Sequence, residues 1–163
     1  MKMSDKYYMK IDGVKGPVTV KGFEGAFELA GYRDIAISNP FASTNNGQAY
    51  GGTPDVSSVS MTLSNVSGTV NCILIKDILG ALPLKTVTIY EVAKLNNAET
   101  SVYDITLDNV HLLHYERHGG NRNVSLTLGN PSAITINNVD IDESGKAGSP
   151  QKVKYDLQKH ETS

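Results

Sequence analysis

The segment Thr100–Arg117, TSVYDITLDNVHLLHYER, predicts one long β-strand whose apolar face changes along its length. Apolar and polar residues alternate in short runs, and successive runs are out of phase, with changes near Asp104 and Asn109. The apolar positions are Val102, Ile105, Leu107, Val110 and Leu112. One extra residue moves every following side chain to the other face, so each change predicts a β-bulge that bends the strand.

Alternating segments on both sides of this strand predict a β-rich fold. The segment 7–12, YYMKID, alternates with Tyr8 on the face opposite Met9, and Asp12-Gly13 then signals a turn. Other alternating segments are Phe23–Leu29, Arg33–Ile37, Val56–Leu63, Lys85–Val92, Asn123–Leu128, Ile134–Ile141 and Val153–Leu157. Roughly eight short strands at such spacing predict an antiparallel barrel or sandwich, and closure removes the exposed edges that promote aggregation.

One segment, Val70 to Leu82 (VNCILIKDILGAL), predicts an α-helix. Its apolar positions recur every three or four residues, which is the helical period. They are Val70, Ile73, Leu74, Ile78, Leu79 and Leu82. Pro83 is expected to end the helix, because its ring cannot continue the hydrogen-bond ladder. The helix is therefore expected to lie with this face over one opening or flank of the barrel, and Cys72 is interpreted as a structural helix residue.

Three segments share a Thr, an aliphatic residue, any residue, an Asn and a Val. They are Thr62–Val66, Thr106–Val110 and Thr135–Val139. Their spacings are unequal, whereas a solenoid repeats at a fixed period. The pattern therefore predicts similar combinations of strand and bend.

The segment Asn39–Asp55 is expected to form an extended loop, because it is rich in Asn, Gly and Pro and has no alternation. It contains Pro40 and two aromatic residues, Phe41 and Tyr50. Two interpretations stay open: a mobile surface loop, or a docking arm whose residues Pro40, Phe41 and Tyr50 seat on a neighbouring copy. The last residues, 159–163, are expected to be a flexible tail.

Composition predicts a single domain spanning residues 1–163. The chain is 39% hydrophobic and 20% charged, which is ordinary for a globular protein. Its net charge of −2 and lack of basic runs disfavour nucleic-acid binding. The N-terminus has no apolar run typical of a signal peptide, and no segment approaches the ~20 apolar residues of a spanning helix. We therefore expect synthesis in the cytoplasm and no membrane insertion.

Sequence motifs for catalysis are absent, so no catalytic, cofactor-binding or metal-ligating residue is predicted. There is no G-x-S-x-G, H-E-x-x-H or P-loop motif. His111 and His114 are three residues apart and would point to opposite faces of a strand unless a bulge intervenes. Asp104 and Asp108 could share a face, and the acidic segment Asp140–Gly145 lacks the spacing of a calcium loop. Enzyme function is therefore the weakest hypothesis.

Several segments, in order along the chain, resemble the Hcp family of bacterial type VI secretion systems. Tyr8–Gly16 (YMKIDGVKG) resembles the first strand and turn of that family, and Tyr103–Val110 (YDITLDNV) resembles its long strand. Gly119-Gly120 and Val124–Leu128 are similar to the following turn and strand, and Gly145–Leu157 is similar to the closing turn and Y-D-L strand. The resemblance covers nearly the whole chain.

The resemblance implies a structural tube protein and not an enzyme. It implies a partly closed antiparallel β-barrel with one flanking helix, about residues 70–82, and six copies per ring. Stacked rings would form the inner tube, which contraction of an outer sheath on a baseplate propels with a VgrG spike at its tip. Effector cargo in the lumen, and secretion through this apparatus without a signal peptide, are further expectations.

Two alternatives stay open beside this one. Phage tail tubes share the architecture, so a phage-type tube protein is the nearest alternative. A non-enzymatic ligand-binding barrel is the other, and it would show exposed aromatic residues on one barrel face.

Overall fold

A computed structural model describes residues 6–39, 41–43, 49–51, 54–159 and 161–163, and for 41–43 and 49–51 it describes the backbone. The strands and the helix, in chain order, are β1 (Lys6–Ile11), β2 (Phe27–Arg33), β3 (Ile37–Ser38), β4 (Phe41–Ser43), β5 (Ala49–Gly51), β6 (Asp55–Val56), β7 (Val59–Leu63), α1 (Gly68–Leu79), β8 (Pro83–Leu95), β9 (Ala98–Arg117), β10 (Val124–Gly129), β11 (Ala133–Asn138), β12 (Gln151–Asp156) and β13 (Glu161–Thr162).

Six antiparallel strands close into a barrel in the order β1, β8, β9, β10, β7, β2 and back to β1. The predicted fold class, an antiparallel barrel with one helix, is confirmed. The closure is complete, whereas the family resemblance implies a partly closed barrel. Strands β11, β12 and β13 continue the sheet outward from β9.

Strand β9 joins the barrel to this outer sheet. One edge of β9 pairs with β8 from Ala98 to His111. The other edge pairs first with β11, over Tyr103 to Asp108, and then with β10, over His111 to Arg117. Both later strands therefore take their register from β9.

The predicted irregularities of β9 are present. Glu91 and Val92 pair with Tyr103 and Ser101, so Val102 is an extra residue, two positions from the predicted site at Asp104. Val102 packs in a small cluster with Ala93 and Leu95, apart from the main core.

The second irregularity is at Asn109, but it is not the predicted bulge, because the pairing with β8 keeps its register from Asp108 to Val110. Asn109 adopts a left-handed conformation with φ of 48°, and Asn65, at the same place in an earlier Thr-Leu-x-Asn-Val segment, has φ of 55°. Asn tolerates this region better than most residues. Each Asn is followed by a buried valine, Val66 or Val110, so the two segments make the same bend into the core.

Helix α1 begins two residues before the predicted start and ends three residues before the predicted end. The side chain of Ser67 accepts a hydrogen bond from the Val70 N–H at 3.3 Å and caps the N-terminus. At the other end, the Leu82 N–H donates to the Asp77 carbonyl, and Ala81 is left-handed with φ of 53°. This is the Schellman motif, and it ends the helix at Leu79. Pro83 is therefore not the residue that ends the helix.

Side chains fill the interior of the barrel. The main core includes residues from all six barrel strands together with Val70 and Leu74 of α1. Tyr7 and Tyr32 also pack on this core, with ring centroids 5.1 Å apart. Burial raises the pKa of the Tyr32 phenol, and its hydroxyl donates to Asp34 at 2.9 Å. The barrel is therefore a packed core and not a pore.

Tyr8 is buried, although it lies on the face opposite Met9. Its side chain is 1% exposed and contacts Phe23, with ring centroids 4.9 Å apart. Phe23 belongs to the loop between β1 and β2, which folds back over the outer face of the barrel and forms a second cluster with Ala26 and Val92. Strand β1 is therefore buried on both faces at this point, whereas its alternation predicts one buried face.

The same loop depends on one close backbone approach at Gly16. The Gly16 N–H donates to the Gly25 carbonyl at 2.8 Å, and the Val18 N–H donates to the Ala26 carbonyl. A Cβ at Gly16 would meet the carbonyl group of Ala26, with the carbonyl carbon at 2.6 Å. No side chain fits there without a backbone shift.

Strands occur in two segments that the sequence predicts as irregular. Residues 39–55, predicted as an extended loop, contain β4 and β5, which pair with each other. Strands β3 and β6 pair at the base of this excursion. In the predicted tail, β13 pairs with β12. Backbone ladders of two or three residues need no alternation of side chains, which is why the sequence pattern does not indicate them.

A polar cluster ties β1 to the start of β9. Lys6 Nζ donates to Glu99 at 2.8 Å, and the Tyr8 hydroxyl donates to the other carboxylate oxygen at 2.6 Å. The hydrogen bond from Lys6 is the main cause that holds the pKa of Glu99 below its usual value. The same bond raises the pKa of Lys6. The cluster therefore favours the ionised carboxylate in the folded state.

We predict that Gly16→Ala lowers the Tm by about 2–12 °C, because overpacking against backbone costs about 1–3 kcal/mol. Gly119→Ala is the matched control, since a Cβ there meets nothing within 4 Å. Thermal denaturation followed by circular dichroism measures both. Equal melting temperatures for the two variants would contradict the packing of the loop.

We predict that Glu99→Gln lowers the Tm by about 1–4 °C at pH 7 and has little effect at pH 3. A depressed folded pKa contributes stability above the unfolded value of about 4.3, and this contribution is lost as the pH falls below it. Glu143→Gln, in an exposed turn, serves as the control. A pH-independent difference between wild type and Glu99→Gln would exclude the charge as the cause.

Candidate assembly surfaces

The predicted docking residues lie in the segment between β3 and β6. Phe41 lies in β4 and pairs with Gly51, and Tyr50 lies in β5 and pairs with Ala42. Pro40, and the side chains of Phe41 and Tyr50, lie outside the described part of the structure. The backbone of β4 and β5 thus places the two aromatic residues on paired strands of one excursion.

Three apolar side chains are exposed on and just after α1, and we call them the α1 ridge: Ile75, Leu79 and Leu82. Their exposed fractions are 36%, 82% and 55%. Ile75 and Leu79 are four residues apart and therefore share one helix face. The sequence pattern assigns Leu79 and Leu82 to the apolar stripe facing the core. That assignment is wrong, because the buried stripe consists of Val70 and Leu74, and Leu82 follows the end of the helix.

A concave apolar surface, which we call the groove, lies between the β3–β6 pair and the outer sheet. Its volume is about 350 Å³. The apolar residues that line it are Ile37, Val56, Ile134, Ile136, Val153 and Tyr155. Ile37 and Val153 are 53% and 55% exposed, whereas Ile134 is buried. The sequence pattern places these residues on strands, but it gives no sign that strands so distant in the chain share one surface.

Two other hollows are lined by polar and apolar residues together. One, of about 750 Å³, is lined by β1, β8 and the loop after β1. There Lys10 Nζ lies 5.9 Å from the centre of the Tyr90 ring and donates to the Gly22 carbonyl. The other, of about 420 Å³, is bordered by His111 and Asn109. The Nδ1 atom of His111 is buried there and has no hydrogen-bond partner among the described residues.

A bulge at Leu113 changes the arrangement of the histidines. Leu112 and His114 pair with Leu128 and Thr127, so Leu113 is the extra residue. Leu112 and Tyr115 both pack on the core as a result, and Tyr115 donates to Asn71 of α1 at 2.7 Å. His111 and His114 are expected on opposite faces of the strand only if no bulge lies between them. The bulge at Leu113 does lie between them, so that expectation does not apply.

One hydrogen bond has the geometry of a nucleophile and its base. His118 Nε2 and Ser125 Oγ are 2.6 Å apart, and Ser125 Oγ is 3.0 Å from Thr62 Oγ1. A catalytic pair of this kind usually has a third group that orients the base. Within the described residues, no carboxylate contacts His118. The pair belongs to a row of hydroxyl side chains on the outer faces of β7 and β10.

Asp104 and Asp142, two of the acidic residues considered from the sequence, make internal hydrogen bonds. Asn137 donates to Asp104 at 2.9 Å. Asp142 accepts from the backbone N–H groups of Ser144 and Lys146 and from the Ser144 hydroxyl, and the Ser144 hydroxyl is the main cause that lowers its pKa. Across the described ranges, no three His, Cys, Asp or Glu residues are grouped to hold a metal ion.

None of the helices in the described part of the chain has the length and apolar character needed to cross a membrane.

Comparisons with solved structures find the same architecture in type VI secretion proteins. A structure described as a type six secretion system protein is 16% identical, covers 98% of this chain and 100% of its own, and has a TM-score of 0.82. Hcp1 from Salmonella typhimurium is 13% identical, with coverage of 97% and 98% and a TM-score of 0.71. Hcp3 from Pseudomonas aeruginosa is 15% identical, with coverage of 92% and 98% and a TM-score of 0.56. At these identities the likeness shows the fold.

The family comparison is more specific. A search of curated proteins finds no match. The model of the family described as "Type VI secretion system effector, Hcp" matches residues 8–141, which is most of the chain. The chain therefore belongs to the Hcp family, the structural tube proteins of type VI secretion systems.

Proposed function

We propose that copies of this chain form hexameric rings, which stack into the inner tube of a type VI secretion system. The match to the Hcp family over residues 8–141 carries the proposal. The work of such a protein is mechanical, and we propose no enzymatic activity, cofactor or metal for it.

The filled barrel supports an assembly built around a channel. Met9, Phe27 and Leu126 are among the fully buried side chains inside the barrel, so cargo cannot pass through a single subunit. A passage has to form between copies, and we propose that effector cargo travels there. The same filled interior disfavours a ligand-binding barrel, which needs an internal cavity.

A closed ring requires two different surfaces on each copy. Such a head-to-tail contact closes only if its rotation fits a whole number of subunits. A stable contact buries about 800 Å² per partner. Since the barrel core is complete, this area has to come from strand faces, α1 and loops. A net charge of −2 gives little repulsion between copies.

The excursion between β3 and β6 is proposed as the contact between stacked rings. Two short ladders, β3 with β6 and β4 with β5, give its backbone a defined course away from the barrel. Phe41 and Tyr50 belong to the β4–β5 ladder, and Pro40 precedes Phe41 in the chain. These three residues are the proposed docking residues. Aromatic side chains are common anchors of protein interfaces.

Other components of the system complete the proposal. We propose that an outer sheath, a baseplate and a VgrG spike are partners of the assembled tube. We propose also that the chain is cytoplasmic before assembly and leaves the cell through the apparatus. Nucleic acid and membranes are not proposed partners.

Negative-stain electron microscopy of the purified protein tests the assembly. We expect ring-shaped particles whose class averages have six-fold symmetry. Class averages of another symmetry would correct the subunit number, and a field of small particles without rings would contradict the proposal.

We predict that replacing residues 39–55 with a short Gly-Ser linker leaves the barrel and the rings intact but abolishes stacked tubes. The reason is that only the proposed contact between rings is removed. Electron microscopy under conditions that favour tubes measures the ratio of stacked to single rings. Insertion of the same linker at the Asn96-Asn97 turn is the control, and tubes of normal length in the 39–55 variant would contradict the docking role.

A further inference from the structure

Two pairs of hydroxyl side chains lie next to each other on the outer face of the β7–β10 ladder. Thr62 pairs with Ser125, and Ser60 pairs with Thr127 in the same register. The hydroxyl oxygens are 3.0 Å apart in the first pair and 3.4 Å apart in the second. All of these residues are half-buried. Ser125 and Ser60 therefore have similar positions on the barrel, and a difference in their chemistry has to come from their other neighbours.

A histidine extends the first pair, whereas none contacts Ser60 among the described residues. His118 Nε2 lies 2.6 Å from Ser125 Oγ. Glu116 is directly opposite Ser125 in the β9–β10 ladder, so His118 is its diagonal neighbour, a position within reach of a long side chain. The backbone N–H of His118 donates to the Asn123 carbonyl at 3.0 Å, which fixes the histidine backbone against the start of β10.

The three side chains can form one chain of hydrogen bonds that ends on the imidazole. The Thr62 hydroxyl donates to Ser125 Oγ, and the Ser125 hydroxyl donates to Nε2 of a neutral His118. A hydroxyl held in this way can pass its proton to the imidazole while its oxygen attacks an electrophile. Ser125 therefore has a general base in place, and Ser60 has none within the described residues.

The surroundings of the pair determine which electrophiles it can attack. Glu116 lies on the same strand face as His118, and its negative charge favours the imidazolium that forms when His118 takes the proton. Its carboxylate contacts His114, at 3.5 Å, and does not orient the His118 ring. A pair that lacks such an orienting group needs an electrophile with a good leaving group. Activated acyl groups, above all thioesters, meet this requirement.

We propose that Ser125 is an acylation site and that His118 is its general base toward thioesters. Ser125 Oγ attacks the carbonyl carbon and forms the C–O bond, while its proton passes to His118 Nε2. The C–S bond then breaks, and the thiolate takes that proton from His118 and leaves as a thiol. One ester per subunit is the product, so the reaction requires no turnover. The proposal is independent of the proposed assembly of rings.

Acetylation of the wild-type protein tests the proposal with an internal control. The probe is the acetyl thioester of N-acetylcysteamine, and peptide mass mapping follows the acetylation of Ser125 and Ser60 in the same sample. We expect Ser125 to react faster than Ser60 by about tenfold or more, because a positioned general base typically contributes about 10²–10⁴-fold. Equal rates at the two serines would overturn the proposal, and this comparison needs no variant.

A substitution of the base separates activation from a structural hydrogen bond. His118→Gln keeps a polar side chain that can bond to Ser125 but cannot accept its proton. We expect it to lower the rate at Ser125 by about tenfold or more, toward the rate at Ser60. Ser60→Ala is the matched control and is expected to leave the rate at Ser125 unchanged. A His118→Gln protein that has the circular dichroism spectrum of wild type and an unchanged rate at Ser125 would overturn the role of His118.

Discussion

The backbone pairing of β9 with three other strands is the interaction on which the rest of the structure depends. Strand β9 has 20 residues, which is more than any other strand of the barrel. One of its edges can therefore pair first with β11 and then with β10. The extra residues Val102 and Leu113 and the left-handed Asn109 bend it between these partners. Without these irregularities, Ile105, Leu107, Val110 and Leu112 could not all face the main core along such a curved path.

Because apolar side chains fill the closed barrel, the outer surface of the chain is the part available for contacts with other molecules. The core takes up apolar side chains from all six strands and from α1, and among the described residues these side chains fill the interior of the barrel. The apolar surfaces left over, the α1 ridge and the groove, lie where the barrel meets its additions: the helix after β7 and the outer sheet beyond β9. A tube protein needs such surfaces, because contacts between copies hold a tube together.

Local patterns predict the barrel strands and the helix, because alternation, helical periodicity and turn residues are encoded within short segments. The changes of apolar face near Asp104 and Asn109 predict bends in β9 for the same reason. The family follows instead from the resemblance of several segments in order along the chain. Burial of Tyr8 could not be predicted, because it depends on a loop that folds back from residues further along. The exposure of Leu79 and the groove at Val153 likewise depend on where elements distant in sequence meet, and only the spacing of Ile75 and Leu79 hinted at a second apolar face.

We propose that one part of the surface of this chain binds a different part of the surface of the next copy. Light scattering coupled to size exclusion, over a range of protein concentrations, tests it most directly. We expect a species of six times 17.6 kDa, about 106 kDa, that persists on dilution to micromolar concentration. A mass of 17.6 kDa at every concentration would contradict it.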